Sequence, residues 1–222
     1  MNDQSLEAIY DKETDYYGGV RSEMLQYFPE SARTMLDVGC GEGLFGKTAK
    51  KKFGAEVWGI DINKSSVEQA ENNLDKAFFG DVSHLFDVLP DKYFDVIYFN
   101  DVLEHMVDPY RLLKDIQSKL SANGLVVASI PNIRYHRVLT QILLKRDFKY
   151  EKAGVMDETH MRFFTQKSIR RMFVEAGYEP ITLEPINKGK SIRPLFYQLV
   201  SLGLIGRDIS YPQFAVTAGK AG

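Results

Sequence analysis

A glycine-rich stretch directly after a short apolar run is the first candidate for chemistry. Residues 35–46 read MLDVGCGEGLFG, and the segment 44–53 has helical character. Glycines at a junction between a strand and a helix let the backbone approach a ligand closely, and they leave amide N–H groups pointing at it. The stretch therefore predicts a site for a ligand with a nucleotide-like part, formed around Gly39, Gly41, Gly43 and Gly46.

A carboxylate inside the first apolar run separates two kinds of ligand. The segment GEGLFG at 41–46 also satisfies the dinucleotide pattern G-x-G-x-x-G, so a nicotinamide-dependent oxidoreductase is one alternative. Asp37 would lie beside an incoming pyrophosphate, where two negative charges repel each other. The same carboxylate suits a cationic ligand such as a sulfonium or an ammonium, and this favours the cationic ligand.

Two further carboxylates follow the next predicted strands. Asp61 comes about 20 positions after Gly41, where a carboxylate hydrogen-bonds a ribose diol in nucleotide-binding sheets. Asp81 ends the third strand and can accept from an exocyclic adenine amine, with Ile62 and Val82 as apolar walls for the ring. The alternative for Asp81 is a structural role as a helix N-cap or turn residue.

The loop after the fourth predicted strand carries the candidate catalytic groups. Residues 100–106 read NDVLEHM, and His105 is the candidate general base for a hydroxyl acceptor. Glu104 and His105 could instead only shape the loop. A second interpretation joins Asp101, Glu104 and His105 with His160 as two carboxylates and two imidazoles that hold a divalent cation.

Alternating strands and helices must position these groups. Apolar runs predict strands at 34–38, 55–61, 77–80, 94–100 and 124–130, with two later strands at 179–186 and 213–218. Helices are predicted at 44–53, 64–75, 109–121 and 166–176, the last with Thr165 as its N-cap. Strands that alternate with helices of this length predict an α/β fold with a parallel sheet covered on both faces.

Three segments interrupt this alternation within one predicted domain, residues 1–222. Residues 1–33 predict a packing helix or a lid in which Tyr10, Tyr16 or Tyr17 closes over the ligand. Residues 131–165 are too long for an ordinary connection and predict a substrate cap after the fifth strand, and residues 189–210 form an insertion between the last two strands. The cap begins as a basic amphipathic helix, which suits packing, an anionic acceptor or peripheral contact with a membrane surface.

Composition sets the broad class. The 222 residues are 44% apolar with a formal net charge of −2, so no overall attraction to nucleic acid is expected. The single cysteine fits a reducing compartment, and we expect a cytoplasmic protein without a signal peptide or a transmembrane segment. The oligomeric state is left open.

Four motifs in this order resemble the class I S-adenosylmethionine-dependent methyltransferases. They are LDVGCGEG at 36–43, GIDI at 59–62, GD at 80–81 and FDVIYFNDVLEH at 94–105. The resemblance implies a Rossmann-like, mostly parallel seven-stranded sheet with an antiparallel last strand and helices on both faces. It implies S-adenosylmethionine as cofactor, its demethylated product S-adenosylhomocysteine, and a cofactor-binding set of Tyr17, Asp37, Gly39, Cys40, Gly41, Gly43, Asp61, Ile62, Asp81, Val82, Asn100, Asp101 and Val102.

Narrower resemblances bear on the acceptor. The loop at 101–105 is similar to metal-assisted small-RNA 2′-O-methyltransferases and quinone-biosynthesis O-methyltransferases, whose motif carries Glu where this chain has Asp101, a departure that argues against a metal. The cap resembles methyltransferases of cell-envelope glycan synthesis. We expect O-methylation of a hydroxyl on a sugar, glycan or small-molecule intermediate, with His105, Glu104 and His160 as catalytic candidates. The alternatives are the oxidoreductase, the RNA methyltransferase and a non-catalytic interaction module.

Overall fold

The computed structural model describes residues 20–222, in which seven strands form one sheet. The strands are β1 (Thr34–Val38), β2 (Glu56–Asp61), β3 (Lys76–Phe79), β4 (Phe94–Asn100), β5 (Leu120–Pro131), β6 (Tyr178–Ile186) and β7 (Gln213–Lys220). Their order is β3-β2-β1-β4-β5-β7-β6. All pairs from β3 to β5 are parallel, whereas β7 runs antiparallel to both β5 and β6. The predicted seven-stranded sheet with an antiparallel last strand is confirmed.

The apolar runs of the central strands are continuous because both faces of the sheet are covered. Along β1, Met35 packs into one buried cluster and Leu36 into the other. Along β4, Tyr98 and Phe99 divide in the same way. Successive side chains of a strand point to opposite faces, so each run supplies two cores at once.

Six α-helices flank the sheet within the described residues. They are α1 (Leu44–Phe53), α2 (Lys64–Ala70), α3 (Pro109–Ile116), α4 (His136–Leu139), α5 (Gln166–Glu175) and α6 (Arg193–Val200). Side chains cap three of their N-termini, since Asn63, Asp108 and Thr165 each accept a backbone N–H of the first turn. The predicted helix N-cap at Thr165 is confirmed. Near the N-terminus, a 3₁₀ helix at Ser22–Tyr27 takes the place of the predicted packing helix.

Two helices end about five residues earlier than predicted. Helix α2 stops at Ala70, after which the chain turns so that the buried Leu74 packs beneath the glycine-rich loop. Helix α3 passes into a short 3₁₀ turn, Gln117–Lys119, because β5 begins at Leu120 rather than at 124. The apolar periodicity continues through both turns, and this explains why the sequence pattern overran the helices.

Residues 131–165 leave the sheet after β5 and return to the same place. Asn132 bridges to Phe164, and the Ile133 amide donates to the Phe164 carbonyl over 2.9 Å. The predicted amphipathic helix is present only as α4 and a following π-helical turn, Thr140–Leu144. Helix α6 of the second insertion lies against this turn, since the hydroxyls of Thr140 and Tyr197 are 2.8 Å apart.

No helix within residues 20–222 combines the length and the apolar character needed to cross a bilayer.

Candidate active site

A cavity of about 590 Å³ opens at the carboxyl ends of the parallel strands. This is the edge at which open α/β sheets bind ligands, and the volume suits a nucleotide-sized molecule. The wall combines the loops after β1, β2, β3 and β4 with Arg21, parts of the cap insertion and the start of β7. The lining residues used below are Arg21, Asp37, Gly39, Cys40, Gly41, Asp61, Ile62, Asp81, Val82, Asn100, Asp101, Val102, Glu104, His105, Gly154, Val155, His160 and Gln213. We call this space the cofactor cavity.

The glycine-rich loop brings the backbone to the cavity wall. Gly39 has a φ of 75°, and a Cβ there would lie 2.5 Å from a methyl carbon of Val102. The amides of Gly39 and Cys40 both donate to the Ile60 carbonyl, and the Gly41 amide donates to Asp61 over 2.7 Å. Only glycine tolerates this close approach at a positive φ.

Gly43 has a different position from the other motif residues, because it is absent from the lining of the cofactor cavity. It precedes α1 with a φ of 75°, and a Cβ there would lie 3.0 Å from Leu74 and 3.2 Å from Ala70. This glycine lets α1 and the turn after α2 pack closely. The structure gives Gly43 a packing role and shows no direct wall contact for the predicted cofactor function.

Cys40 packs as a small side chain, with its sulfur where a Cβ on Gly59 would come within 2.7 Å. The residue is 7% exposed. Burial first, then the carboxylates of Asp37 and Asp61, raise the pKa of the Cys40 thiol well above its ordinary value. A neutral thiol is a poor nucleophile, and this agrees with a backbone role for Cys40 at the cavity.

Asp37 is a buried acid of the cavity wall with a raised pKa and, within the described part of the chain, an unpaired carboxylate oxygen. Its side chain is 2% exposed, and its Oδ2 atom has no hydrogen-bond partner within residues 20–222. Burial and the nearby charge of Asp61 raise the pKa of Asp37 to about 8. A buried carboxylate without a partner is costly, so a cationic group that entered the cavity would restore its ordinary ionisation.

The second acid is held firmly by the backbone. Asp61 accepts from the Gly41 amide over 2.7 Å and from the Asn63 amide over 2.9 Å. Burial raises its pKa despite these hydrogen bonds, which act in the opposite direction. Each carboxylate oxygen keeps a further lone pair for a ligand hydroxyl. The predicted ribose contact is therefore geometrically open.

Asp81 has the structural role that is one of the two alternatives predicted from the sequence, and its position leaves the other alternative open. Its Oδ1 accepts from the amide of Ser83 over 2.8 Å and from its hydroxyl over 2.7 Å, which makes Asp81 the N-cap of a 3₁₀ turn. The residue also lines the cofactor cavity beside Ile62 and Val82. Both hydrogen bonds use Oδ1, and the contact of Asp81 with an adenine amine stays a prediction.

Asn100 and Asp101 lie at the cavity floor, but their side chains differ in environment. Neither polar atom of the Asn100 side chain has a hydrogen-bond partner within the described part of the chain. Asp101, with a φ of 54°, forms an ion pair with Arg21 and accepts from Gln213 over 2.8 Å. These contacts direct the Asp101 carboxylate toward Arg21.

Glu104, His105 and His160 form the second chemical centre of the cavity. One donor atom from each lies within 4.8 Å of the others, and the two imidazole rings are 4.8 Å apart at 71°. Asp101 does not belong to this group in the described structure, so the predicted four-residue cluster is reduced to three residues. The cap insertion contributes His160, as the sequence predicted.

Backbone carbonyls orient both imidazoles. His105 Nδ1 lies 3.1 Å from the Thr159 carbonyl, and His160 Nδ1 lies 3.1 Å from the Val155 carbonyl. A carbonyl can only accept, so each Nδ1 carries a proton when these hydrogen bonds form, and in the neutral tautomer Nε2 is the basic nitrogen. His160 Nε2 is 3.9 Å from Glu104 Oε1, and Glu104 itself is 1% exposed. The site thus presents two basic nitrogens beside a buried carboxylate.

No signal in the sequence indicated two residues of the cavity wall, Arg21 and Gln213. Arg21 donates to Ser129 over 3.2 Å and to Gln213 over 3.3 Å, in addition to its ion pair with Asp101. These partners are 80 to 192 positions away along the chain, so only the folded sheet brings them together. Tyr17, the predicted lid residue, lies outside the described residues.

The comparisons with known proteins agree with this geometry. A family model described as a methyltransferase domain matches residues 11–183. A structure of an S-adenosylmethionine-dependent methyltransferase from Archaeoglobus fulgidus superposes with a TM-score of 0.70 and 20% identity over 98% of this chain and 99% of its own, which shows the shared fold.

Among curated proteins, the ubiquinone biosynthesis O-methyltransferase of Bradyrhizobium diazoefficiens is 29% identical over 52% of this chain and 49% of its own length. The protein of the same name from Coxiella burnetii is 30% identical over 49% and 48%. The chain spans about half the length of these curated relatives. With the motif order, the sheet topology and the family match in agreement, the chain belongs to the methyltransferase-domain family.

Proposed function

We propose that this protein transfers the methyl group of S-adenosylmethionine to a hydroxyl of a sugar, glycan or other small intermediate. The observation that carries the proposal is the presence of two complementary centres in one cavity. The first is the buried carboxylate of Asp37, which a cation would stabilise. The second is the group of Glu104, His105 and His160, which supplies imidazole nitrogens as candidate bases. The names of the curated relatives, O-methyltransferases of ubiquinone biosynthesis, support an oxygen acceptor.

The cofactor's charges match the charged residues of the wall. Asp37 would hold the ammonium or face the sulfonium, because its buried carboxylate lacks a partner within the described residues. Asp61 would accept from the ribose diol, and Asp81 from the adenine amine. Arg21 lines the same cavity and pairs with Asp101, and it would also attract the carboxylate of the amino-acid end. A zwitterionic nucleoside therefore fits this wall better than a pyrophosphate does.

The chemistry asks for alignment and a proton acceptor. When bound, S-adenosylmethionine supplies a methyl group that is open to direct displacement, so the protein mainly has to align the acceptor oxygen. His105 Nε2 would take the hydroxyl proton as the oxygen attacks, since its Nδ1 already donates to the Thr159 carbonyl. Glu104 would stabilise the imidazolium that forms, and His160 would orient the acceptor from the cap.

The same three side chains fit a divalent cation. Two imidazole nitrogens and one carboxylate oxygen within 4.8 Å are a donor set that binds first-row transition metals, and the carbonyls behind both Nδ1 atoms fix the ligand orientation as outer-shell partners do. A cation held by Glu104, His105 and His160 would supply Lewis acidity to vicinal hydroxyls. Chelator sensitivity of methyl transfer would distinguish this mechanism from the one that uses His105 alone.

Calorimetric titration tests the first half of the proposal. S-adenosylmethionine and S-adenosylhomocysteine should both bind at micromolar concentrations, whereas reduced nicotinamide cofactors should not. Absence of binding by the two adenosyl compounds would refute the methyltransferase assignment, and binding of the nicotinamide cofactor would favour an oxidoreductase.

A radiolabelled-methyl screen tests the second half. The panel should contain nucleotide sugars, lipid-linked glycans, quinone precursors and small RNA, each with and without chelator. We expect label in a sugar, glycan or quinone precursor and none in RNA. Labelled RNA would move the assignment to a 2′-O-methyltransferase, and a quinone precursor labelled above all sugars would replace the glycan acceptor with a phenolic one.

A further inference from the structure

A second cavity, of about 430 Å³, lies between the two insertions. We call it the insertion cavity. Helix α4 and the turn after it form one side, and the segment that leads into α6 forms the other. Its wall consists of His136, Arg137, Thr140, Gln141, Lys145, Glu151, Ser191 and Arg193. None of these residues lines the cofactor cavity.

The charge of the insertion cavity is positive. Its wall contains three basic side chains, Arg137, Lys145 and Arg193, and one acidic side chain, Glu151. None of the three cations forms an ion pair with another residue of the described range 20–222. The hydroxyls of Thr140 and Ser191 and the amide of Gln141 add neutral donors to the wall. Guanidinium, ammonium and hydroxyl donors around one concave space are the groups that bind phosphate oxygens.

A buried histidine completes this wall. His136 is 1% exposed, its Nδ1 lies 3.3 Å from the Ile209 carbonyl, and its Nε2 has no hydrogen-bond partner within the described residues. Burial, followed by the charges of Arg137 and Arg193, lowers the pKa of His136. The cations therefore act directly on this ring, and an anion placed among them would reverse their effect.

One loop separates the two cavities. Glu151 lines the insertion cavity, while Gly154, Val155 and His160 of the same loop line the cofactor cavity. The loop is closed on itself, since the Glu151 amide donates to Met156 over 2.8 Å and the Glu158 amide donates to Glu151 over 2.9 Å. A group bound in the insertion cavity therefore lies on the far side of the loop that carries His160.

We propose that the insertion cavity binds a phosphate or pyrophosphate group carried by the methyl acceptor, with Arg137, Lys145, Arg193 and His136 as its ligands. This inference rests on the proposed function, because it assigns the phosphate to the molecule whose hydroxyl is methylated. The acceptor is then a phosphorylated sugar or glycan rather than a neutral one.

The phosphate can come from a soluble molecule or from a lipid headgroup. Helix α6 begins at Arg193 and exposes a row of apolar side chains beside the cavity, among them Leu195 at 67%, Phe196 at 64% and Leu199 at 75% exposure. Such a face next to cations suits a lipid-borne phosphate. The experiment therefore needs one probe for each source.

The first probe is inorganic pyrophosphate, observed through the ring signals of the four histidines. Pyrophosphate should shift the signals of His136 and raise its pKa, and should leave those of His84 unchanged. Arg193→Gln should weaken the binding about tenfold, since it removes one charge-assisted contact. Arg146→Gln is the matched control, because Arg146 is exposed, follows Lys145 directly and is absent from the cavity wall. It should change the affinity less than about twofold.

The second probe is a vesicle of phosphatidylglycerol in phosphatidylcholine, compared with phosphatidylcholine alone. Binding of pyrophosphate that depends on Arg193 supports a soluble acceptor, and binding that occurs only on the anionic vesicles and depends on Arg193 supports a lipid-linked one. Failure with both probes, or equal weakening by Arg193→Gln and Arg146→Gln, would overturn the phosphate site.

Neither probe needs cofactor or turnover, so the two proposals can fail separately. Protein that binds pyrophosphate but transfers no methyl group retains the phosphate site and loses the proposed activity. Protein that transfers methyl to a neutral acceptor and ignores pyrophosphate retains the activity and loses the phosphate site. Arg193→Gln should leave the affinity for S-adenosylmethionine unchanged in either case.

Discussion

The two cavities lie on opposite sides of one loop and have opposite charge. Among residues 20–222, five carboxylates and one arginine, Arg21, line the cofactor cavity, whereas three cations and one carboxylate line the insertion cavity. The acids belong to strand ends that the fold fixes, and the cations belong to the two insertions. Under the two proposals, the acids at the strand ends would bind the cationic cofactor, and the cations of the insertions would bind a phosphate of the acceptor.

The cavities also differ in how firmly their charges are held. Asp37 and Asp61 are 2% and 6% exposed and lie in strands, while Arg137, Lys145 and Arg193 are exposed residues. Buried charges act strongly on a ligand but cost stability when they lack a partner, and exposed charges act weakly but cost little. This contrast gives four predictions, each of which should affect one cavity and spare the other.

The largest effect is expected from His105→Ala. Loss of a positioned general base should lower kcat about 10²–10⁴-fold, with the affinity for S-adenosylmethionine nearly unchanged. Steady-state kinetics on the acceptor from the methyl-transfer screen, combined with calorimetry on the cofactor, measure both quantities. An enzyme that retains full turnover without this imidazole would exclude His105 from the mechanism, and the chemistry would then belong to Glu104 and His160.

Asp37→Asn should act on cofactor binding rather than on turnover. Removing the buried charge that faces the cationic end should weaken S-adenosylmethionine binding about 10- to 100-fold, as for a lost hydrogen bond to a charged group. Pyrophosphate binding in the insertion cavity serves as the internal control and should not change. Unchanged cofactor affinity would show that another acid of the wall, such as Asp61, carries the cation.

The same variant should make the protein without ligand more stable. Burial raises the pKa of Asp37 to about 8, so between about pH 4 and pH 8 the folded state holds a proton that the unfolded state has lost. The free energy of unfolding therefore falls as pH rises through that window, because the buried carboxyl group has to give up its proton. Asparagine cannot ionise, so Asp37→Asn should gain at least about 1 kcal/mol at pH 8 and less at pH 5.

Denaturant unfolding at the two pH values measures this difference. Asp61→Asn is a poor control because its carboxylate accepts two backbone amides, and a substitution there removes those contacts. Asp87→Asn, at an exposed residue of a 3₁₀ turn, is the matched control and should change stability little at either pH. A variant Asp37→Asn that is less stable at pH 8 would mean that the carboxylate has a partner in the ligand-free protein.

The sequence predicted the sheet and most residues that line the cofactor cavity, because both depend on patterns of neighbouring residues. The strand at 94–100 was predicted to the residue, since a short apolar run rich in aromatic and β-branched residues is typical of a strand covered on both faces. Asp61 and Asp81 were predicted because each lies at the carboxyl end of its strand, Asp61 as the last residue of β2 and Asp81 two residues after β3. Gly43 shows the limit: a glycine needed for helix packing and one needed for ligand approach look alike in a sequence.

The insertions were less predictable because their structure depends on distant partners. The amphipathic pattern after Pro131 predicted a single helix, but the chain forms α4 and a π turn whose Thr140 contacts Tyr197 of the other insertion. The proximity of His136 to Arg193 has the same origin. The contact between Thr140 and Tyr197, which are 57 positions apart in the chain, brings the two insertions together next to this pair. Local periodicity carries no information about which two loops will meet.

The smallest predicted effect concerns salt, and it tests the contrast of the two cavities most directly. Raising the ionic strength from about 0.05 M to about 0.5 M shortens the range of electrostatic interactions, which affects exposed charges much more than buried ones. Pyrophosphate binding to the insertion cavity should weaken about three- to tenfold, whereas S-adenosylmethionine binding should change less than about twofold. Calorimetry of both ligands on one preparation gives the comparison without any variant. If both affinities fell by the same factor, the burial of Asp37 would not shield its interaction with the cofactor, and the cofactor would have to be held mainly by the exposed part of the wall.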